Sequence, residues 1–354
     1  MNPFAGTEGQ LLKLIQGLDK DRYEARFVVF KPSDFLRLND FPIPVDVLCV
    51  EQLFSPSTWW KVYRYLLIKR RENFCLAHIF FNDASLIAPP LLRMLGYRII
   101  VSRRDMGYWY TKINKAALKL NAKFVDRVIV NSFAVKQITI DAEGYDPELI
   151  NVIYNGYQEV AVHHDSNEIA GGLDKDKINL VLVANIRPIK RMQDALYALG
   201  KTLRNSLSVT LTIIGGGDHD YLMKLAAKIG VEDAVYFLGS RDDVQLLLPS
   251  FDVGILCSES EGFSNALIEY QQSGLPIVCS NVGGNPEIVE HSVNGFLYET
   301  GNVDELSELI MKLCRDKKLR TRLGEAGRQK VQQNYSLVGY VSDHQAVYQE
   351  LIRG

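Results

Sequence analysis

The sequence predicts an α/β chain of two domains, each a parallel sheet covered by helices on both faces, and three observations carry that prediction. Strand-like and helical runs alternate along nearly the whole chain, the pattern left by β–α–β crossovers. The alternation stops once, between Asn155-Gly156 and about Lys177, where the composition turns to His, Asp, Gly, Glu and Lys. With 354 residues, the chain is long enough for a core on each side of that break.

In order, Thr7-Glu-Gly-Gln10 reads as a capping box, with Thr7 as N-cap, and Leu11, Leu14, Ile15 and Leu18 form one apolar helical face. Strands are expected at 26–30, 45–50, 75–80, 98–101, 127–131 and 150–154, with helices at 85–95 and 110–122 among them. The second series places strands at 178–184, 209–214, 235–238, 253–257 and 277–279, and helices at 192–203, 221–229 and 266–273. The expected division is a first domain over 1–160, a linker over 161–177, a second domain over 178–335, and a helix over 336–354 that returns to the first domain. A doubly wound domain ordinarily opens with a buried strand before its first glycine loop. Here that loop, Asn2 to Gly9, stands first, so the opening strand is expected to be missing.

Residues 1–140 hold 21 Lys and Arg against 12 Asp and Glu, and the remainder 19 against 30. Much of the positive excess lies in Lys61–Arg71 and Arg93–Arg127, among Tyr, Trp, Leu and Ile. Anionic lipid, an anionic acceptor, nucleic acid and a plain solvated helix face are all open readings of it. Five scattered cysteines without a C-x-x-C pair fit reduced, cytosolic usage. No run approaches the ~18 apolar residues of a membrane span. A cytoplasmic location, with peripheral contact to the inner face of the plasma membrane, is the expectation.

The most informative stretch is Glu261-Gly-Phe-Ser-Asn-Ala-Leu-Ile-Glu269, two carboxylates around a turn that opens a helix. A helix starting near Ser264 aims the amides of Ser264, Asn265 and Ala266 at one spot, where a diphosphate is favoured by the donors and the helix dipole. Glu269, one turn inside, is placed to accept from a cis-diol such as ribose. On its own the pattern fits equally an acidic loop before an amphipathic helix.

Its company narrows the choice. Ala184-Asn-Ile-Arg-Pro-Ile-Lys190, Ile214-Gly-Gly-Gly-Asp218, Phe237-Leu-Gly239, Glu261 to Glu269, Ser273-Gly-Leu-Pro-Ile-Val278 and Gly283-Gly-Asn-Pro-Glu287 occur in one order and spacing that resembles glycosyltransferase family 4. The resemblance implies the GT-B fold, two Rossmann-like parallel-sheet domains facing a central cleft. It also implies a retaining transferase that moves a hexose-type sugar from a nucleotide diphosphate sugar to a hydroxyl acceptor, without metal or other cofactor. A UDP-sugar is the expected donor, and a glycan or lipid-linked acceptor in bacterial surface polysaccharide or glycolipid assembly the expected setting.

By the same resemblance Lys190, aided by Arg187 or Arg191, neutralises the leaving diphosphate. Glu261 lies beside the donor sugar, Glu269 on ribose, the amides after Gly262 and Phe263 on the distal phosphate, and the Gly239–Arg241 turn near the base. Gly6, with Thr7, brings main chain close to the donor phosphates. Family members often carry a histidine where Arg104 stands here, with Arg103 beside it. Arginine cannot act as a base, so position and electrostatics are the expected contribution. Asn82 and Asp83 are open between cleft and surface. The pairs Asp174/Asp176 and Asp218/Asp220, and His163-His164, are read as linker or helix-capping residues and not as metal ligands. A nucleotide-sugar epimerase and a non-catalytic nucleotide-sugar-binding protein are the rival functions.

Overall fold

Short parallel strands order each half of the protein, and their pleat decides which side chains are buried where. The computed structural model describes residues 6–33, 36, 40–158, 173–174 and 176–353. Two units are formed, one containing residues 6–156 and 337–353, the other residues 157–336. Residues 159–172, with His163 and His164, and the start of the Asn2–Gly9 loop lie outside the described residues.

In the N-terminal unit, β1 (Phe27–Val29) and β2 (Val45–Val47) form a parallel pair. Strands β3 (Leu76–Ile79), β4 (Arg98–Arg103), β5 (Arg127–Val130) and β6 (Ile150–Val152) form a parallel sheet in that order. Successive strand residues face opposite sides. Ile99, Val101, Val128 and Val130 therefore pack with Ala88, Leu92 and Val135 of helices Asn82–Met94 and Phe133–Glu143. Ile100 and Ile129 pack on the other side with Leu14, Tyr340, Val341 and Tyr348 of helices Gly6–Gly17 and Leu337–Arg353.

The capping box does not form. Gly6 and Thr7 already lie in the first turn of helix Gly6–Gly17, and Gln10 is buried, with its side-chain amide donating to the Gly156 carbonyl and accepting from its N–H at 3.3 and 3.0 Å. A two-sided bond to a buried peptide group outweighs a local cap. The charged run at 61–71 belongs to helix Pro56–Arg71, capped by Ser55 and opened by Pro56. Helix Phe133–Glu143, absent from the expected elements, carries clear signals for its ends: Ser132 accepts from Val135 N–H, and Gly144 stops it with φ 72°.

The C-terminal unit has one six-stranded parallel sheet: β7 (Ile178–Val183), β8 (Val209–Ile214), β9 (Val235–Gly239), β10 (Val253–Leu256), β11 (Ile277–Ser280) and β12 (Phe296–Tyr298). The order is β12-β11-β10-β7-β8-β9. Three strands run outward from β7 to one side and three from β10 to the other, so the order reverses between β7 and β10. That is where open α/β sheets bind ligands, beyond the strands' carboxyl ends. Leu180, Leu182, Leu211, Ile255 and Phe296 form the core with Leu196, Leu199, Leu306 and Ile310 of helices Met192–Arg204 and Val303–Arg315.

Two histidines sit in the N-terminal core. His78 bonds Ser102 and Tyr348 at 2.8 and 2.7 Å, and His344 Nδ1 donates to the Tyr340 carbonyl at 2.8 Å. Burial holds both neutral, His344 down to about 3 and His78 well below its ordinary value. In the unfolded chain they titrate at about 6.5, so below that pH the unfolded state binds more protons. The stability from the neutral histidines is full above about pH 6.5 and is lost as pH falls toward the folded values. Denaturant unfolding at pH 7 and pH 5 should show a loss of up to about 1.4 kcal/mol per pH unit per histidine, and His344→Gln should flatten that slope.

Candidate functional site

The loops after β7 and β10 meet beyond the point where the strand order reverses. Lys190 ends a short turn, Pro188–Lys190, that follows β7; Glu261 lies four residues ahead of helix Asn265–Gln272, which follows β10. Their side chains form an ion pair at 2.6 Å, the lysine side chain 22% and the glutamate 11% exposed. The Glu259 N–H donates to the Ile189 carbonyl at 2.8 Å, so main chain ties the two loops as well. Ser258 donates its hydroxyl to the same Glu261 oxygen that receives Lys190. The carboxylate is thus oriented from two sides and holds the ammonium ahead of the helix N-terminus.

Three close approaches fix this arrangement. Gly283 has φ +49°, and a Cβ there would lie 1.8 Å from the Glu261 carbonyl oxygen, while the Gly284 N–H donates to that oxygen at 3.1 Å. The 283–284 loop therefore runs against the Glu261 backbone, and only glycine permits it. Gly215 makes a similar approach, its Cβ position 1.9 Å from the Ala184 carbonyl oxygen beyond β7. The third involves Tyr270, whose ring fills the space over Gly254 of β10. Its hydroxyl accepts from the Val183 N–H at 2.6 Å and donates to the Ile255 carbonyl at 3.3 Å. Tyr270 thereby anchors the helix to β7 and β10.

Ser264 is the N-cap of helix Asn265–Gln272, without a side-chain cap bond, and is buried. Its neighbour Phe263 packs edge-on against Tyr335, 5.5 Å between centroids. Asn265 accepts from the Tyr157 hydroxyl. Gly262 and Ala266 are partly accessible, and Glu269 is 8% exposed one turn into the helix. A row of main-chain donors at a helix start, a lysine held by a carboxylate and a buried glutamate can together bind a polyanion bearing a diol.

The arginines divide by what they touch. Arg187 is exposed and pairs with no carboxylate among the described residues. Arg191, in the left-handed region at φ 46°, is committed to Asp194 at 2.8 Å, and so secures the start of helix Met192–Arg204. Arg241 pairs with Asp243 at 2.7 Å, just after the Gly239 turn. In the N-terminal unit Arg103 is 4% exposed and forms a bidentate pair with fully buried Glu143 at 2.6 and 2.8 Å. That makes Arg103 a core residue.

Arg104, beside it at the end of β4, donates to Asn155 and the Tyr340 hydroxyl, both at 3.1 Å, and lies over the rings of Phe80 and Tyr340. Its second terminal nitrogen is buried and makes no hydrogen bond within the protein. Gly6 and Thr7 open helix Gly6–Gly17 of that unit. Asn82 and Asp83 form the first turn of helix Asn82–Met94, with Asp83 exposed. The Asp218 carboxylate accepts from the Asp220 N–H at 2.9 Å, and Asp174 does the same for Asp176 at 3.0 Å. Ser258, Tyr157 and Tyr340 were not singled out by the sequence.

A sheet reversing at β7/β10, with these groups at the reversal, marks a ligand-binding α/β unit, and two units of parallel sheets are the architecture of GT-B glycosyltransferases. Comparison with known proteins agrees. Residues 4–159 match the family described as Glycosyltransferase Family 4, and residues 165–330 match Glycosyl transferases group 1. The chain belongs to glycosyltransferase family 4. N-acetyl-alpha-D-glucosaminyl L-malate synthase of Bacillus anthracis is 29% identical, over 81% of this chain and 77% of its own. The UDP-Gal:alpha-D-GlcNAc-diphosphoundecaprenol alpha-1,3-galactosyltransferase of Escherichia coli is 24% identical, over 81% and 78%. Among solved structures, Anabaena HepE in complex with UDP superposes with a TM-score of 0.87 at 24% identity, covering 99% of this chain and 98% of that one.

Two substitutions test the scaffold. Tyr270→Phe removes a buried hydroxyl that bonds two strands and should cost about 1 to 3 kcal/mol in denaturant unfolding. Gly283→Ala should displace Glu261 and weaken nucleotide binding by calorimetry at least tenfold, while far-ultraviolet circular dichroism stays unchanged.

Proposed function

We propose that the protein is a retaining glycosyltransferase that moves a hexose-type sugar from a UDP-sugar to a hydroxyl of a glycan or lipid-linked acceptor, without metal. The observation that carries this reading is the Lys190–Glu261 pair at the strand-order reversal, ahead of the helix that holds Glu269. As the glycosidic bond breaks, negative charge builds on the departing diphosphate. Lys190 and the amides of Ser264, Asn265 and Ala266 are already oriented toward such charge, which lowers the barrier because nothing has to reorganise. Arg187, which pairs with no carboxylate among the described residues, adds to this charge. Glu261 holds Lys190 and lies beside the donor sugar, Glu269 accepts from ribose hydroxyls, and Arg241 borders the base. Gly6, Thr7 and Arg104 keep the roles that the family resemblance implies for them.

UDP is favoured as the leaving group because HepE has been solved with UDP and the Escherichia coli relative is named for a UDP-galactose reaction. That relative's name also includes a diphosphoundecaprenol acceptor, which supports a lipid-linked acceptor here. No described helix is long and apolar enough to cross a membrane. Contact with anionic lipid is assigned to helix Pro56–Arg71. Trp60 and Ile68 are 62% and 47% exposed, and Arg64 lies between them on the same face. Lys69 and Arg70, by contrast, are tied to Glu72 at 2.7 Å and the Leu95 carbonyl at 3.1 Å.

Nucleotide release from UDP-, GDP-, ADP- and TDP-sugars, each with EDTA, should show turnover of the UDP-sugar. Lys190→Ala should lower the rate by about 10²- to 10³-fold, and Glu269→Ala should weaken donor binding; unchanged turnover in both would sink the assignment. Product with inverted anomeric configuration by NMR would remove retention. Co-sedimentation with vesicles should require anionic lipid and be lost on Trp60→Ala with Arg64→Glu.

A further inference from the structure

We propose that Ser258 is a positioning residue for the transfer: its hydroxyl keeps the Glu261 carboxylate bonded and in place while Lys190 turns its charge to the departing diphosphate. This rests on the role proposed above for Lys190. Ser258 lies just beyond β10 and is fully buried. It donates to Glu261 Oε1, the oxygen that also receives Lys190 Nζ at 2.6 Å. Among the described residues Glu261 Oε2 receives no hydrogen bond.

Two donors on one carboxylate oxygen make the lysine movable. The Glu261 side chain is only 11% exposed, so a carboxylate that loses its sole partner there is poorly compensated by water. An ammonium carries three donors, and Lys190 Nζ uses one of them within the described residues. The other two are left for a diphosphate. As negative charge grows on that group, the ammonium is drawn toward it and away from Oε1. Ser258 stays on Oε1, and the carboxylate keeps its place. Without the hydroxyl, Oε1 depends on Lys190 alone, and the glutamate holds the ammonium back at the moment the diphosphate needs it. The same arrangement leaves Oε2 able to accept from a ligand hydroxyl.

Ser258 is itself held from behind. The Ser280 hydroxyl, at the end of β11, donates to the Ser258 carbonyl at 2.6 Å. The Asn285 side chain donates in turn to the Ser280 carbonyl at 3.0 Å. Ser280 and Asn285 are both fully buried. With its main chain fixed, Ser258 has one side-chain torsion to set, and the bond to Glu261 sets it. Ser273 and Ser307, by contrast, return their hydroxyls to nearby main-chain carbonyls, those of Glu269 and Asp304. Ser258 reaches instead the carboxylate that controls Lys190.

The test is a double-mutant cycle on release of UDP from a UDP-sugar by the full chain, with Ser258→Ala, Lys190→Ala and the two combined. Ser258→Ala should lower kcat about tenfold and leave the donor KM within about twofold, because the bound donor carries less charge on its diphosphate than the departing group. Added to Lys190→Ala, the same substitution should cost less than about twofold, since Ser258 acts through that lysine. A serine that serves only the fold would give losses that multiply, and that result would overturn the proposal. So would a kcat of Ser258→Ala within about twofold of the parent's. Absence of turnover by the parent with every nucleotide sugar would count against the transferase reading alone, and the cycle is then read on UDP affinity by calorimetry. UDP carries the charge of the leaving group, so Ser258→Ala should weaken it about tenfold when Lys190 is present and less than about twofold when it is not; equal weakening in both backgrounds would overturn the proposal. Ser258→Cys, whose thiol is a weaker donor, carries the same cycle should the alanine variant fail to fold.

Discussion

The parallel ladder between β7 and β10 is the constraint on which the C-terminal unit depends. Val253 pairs with Leu180 and Gly254 with Val181, although 73 residues separate each pair in sequence. Once these strands are neighbours, their following loops leave the sheet at the same place, and Lys190 and Glu261 can meet. Neither residue is close to the other in the chain.

Rigidity of the site comes from backbone proximity more than from its charges. Lys190 and Glu261 are both partly accessible, and such pairs contribute little stability on their own. What holds them are contacts that tolerate no side chain: Gly283 against the Glu261 carbonyl, Gly215 against Ala184, and Gly254 beneath the Tyr270 ring. On the far side, Gly324 of helix Lys317–Asn334 lies where a Cβ would be 1.9 Å from the Gly274 carbonyl oxygen, seating that helix against the turn that ends Asn265–Gln272. A site held this way is preorganised before any ligand arrives, and that is the condition for electrostatic stabilisation to be effective.

The N-terminal unit places its charges differently. Arg103 and Glu143 are fully enclosed, with Tyr110 also donating to the glutamate and Ser85 accepting from the arginine. Removing either partner would leave a buried uncompensated charge, so the pair constrains the packing of helix Phe133–Glu143 on β4 whatever its net worth. One residue later, Arg104 leaves the sheet and has a polar atom without a partner in the protein. Adjacent arginines with opposite fates are the expected result of a strand pleat that ends between them.

The sequence by itself determined the elements and the family. Periodicity located both strand series to within a few residues, because a buried parallel strand and an amphipathic helix leave different apolar spacings. The glycine and carboxylate motifs of 184–287 were legible for a similar reason, since helix starts and close turns use local chemistry. Polar helix Lys317–Asn334 and three-residue β12 were not legible, because neither has a sustained apolar pattern. Partner choice was decided only in three dimensions. Gln10 could cap its own helix or bond Gly156, Arg191 could serve a ligand or Asp194, and Arg103 could face solvent or Glu143. In each case a polar group close to several partners takes the one that burial makes most costly to leave unpaired. Which partner that is depends on residues 3 to 146 positions away, and that distance is set by the fold.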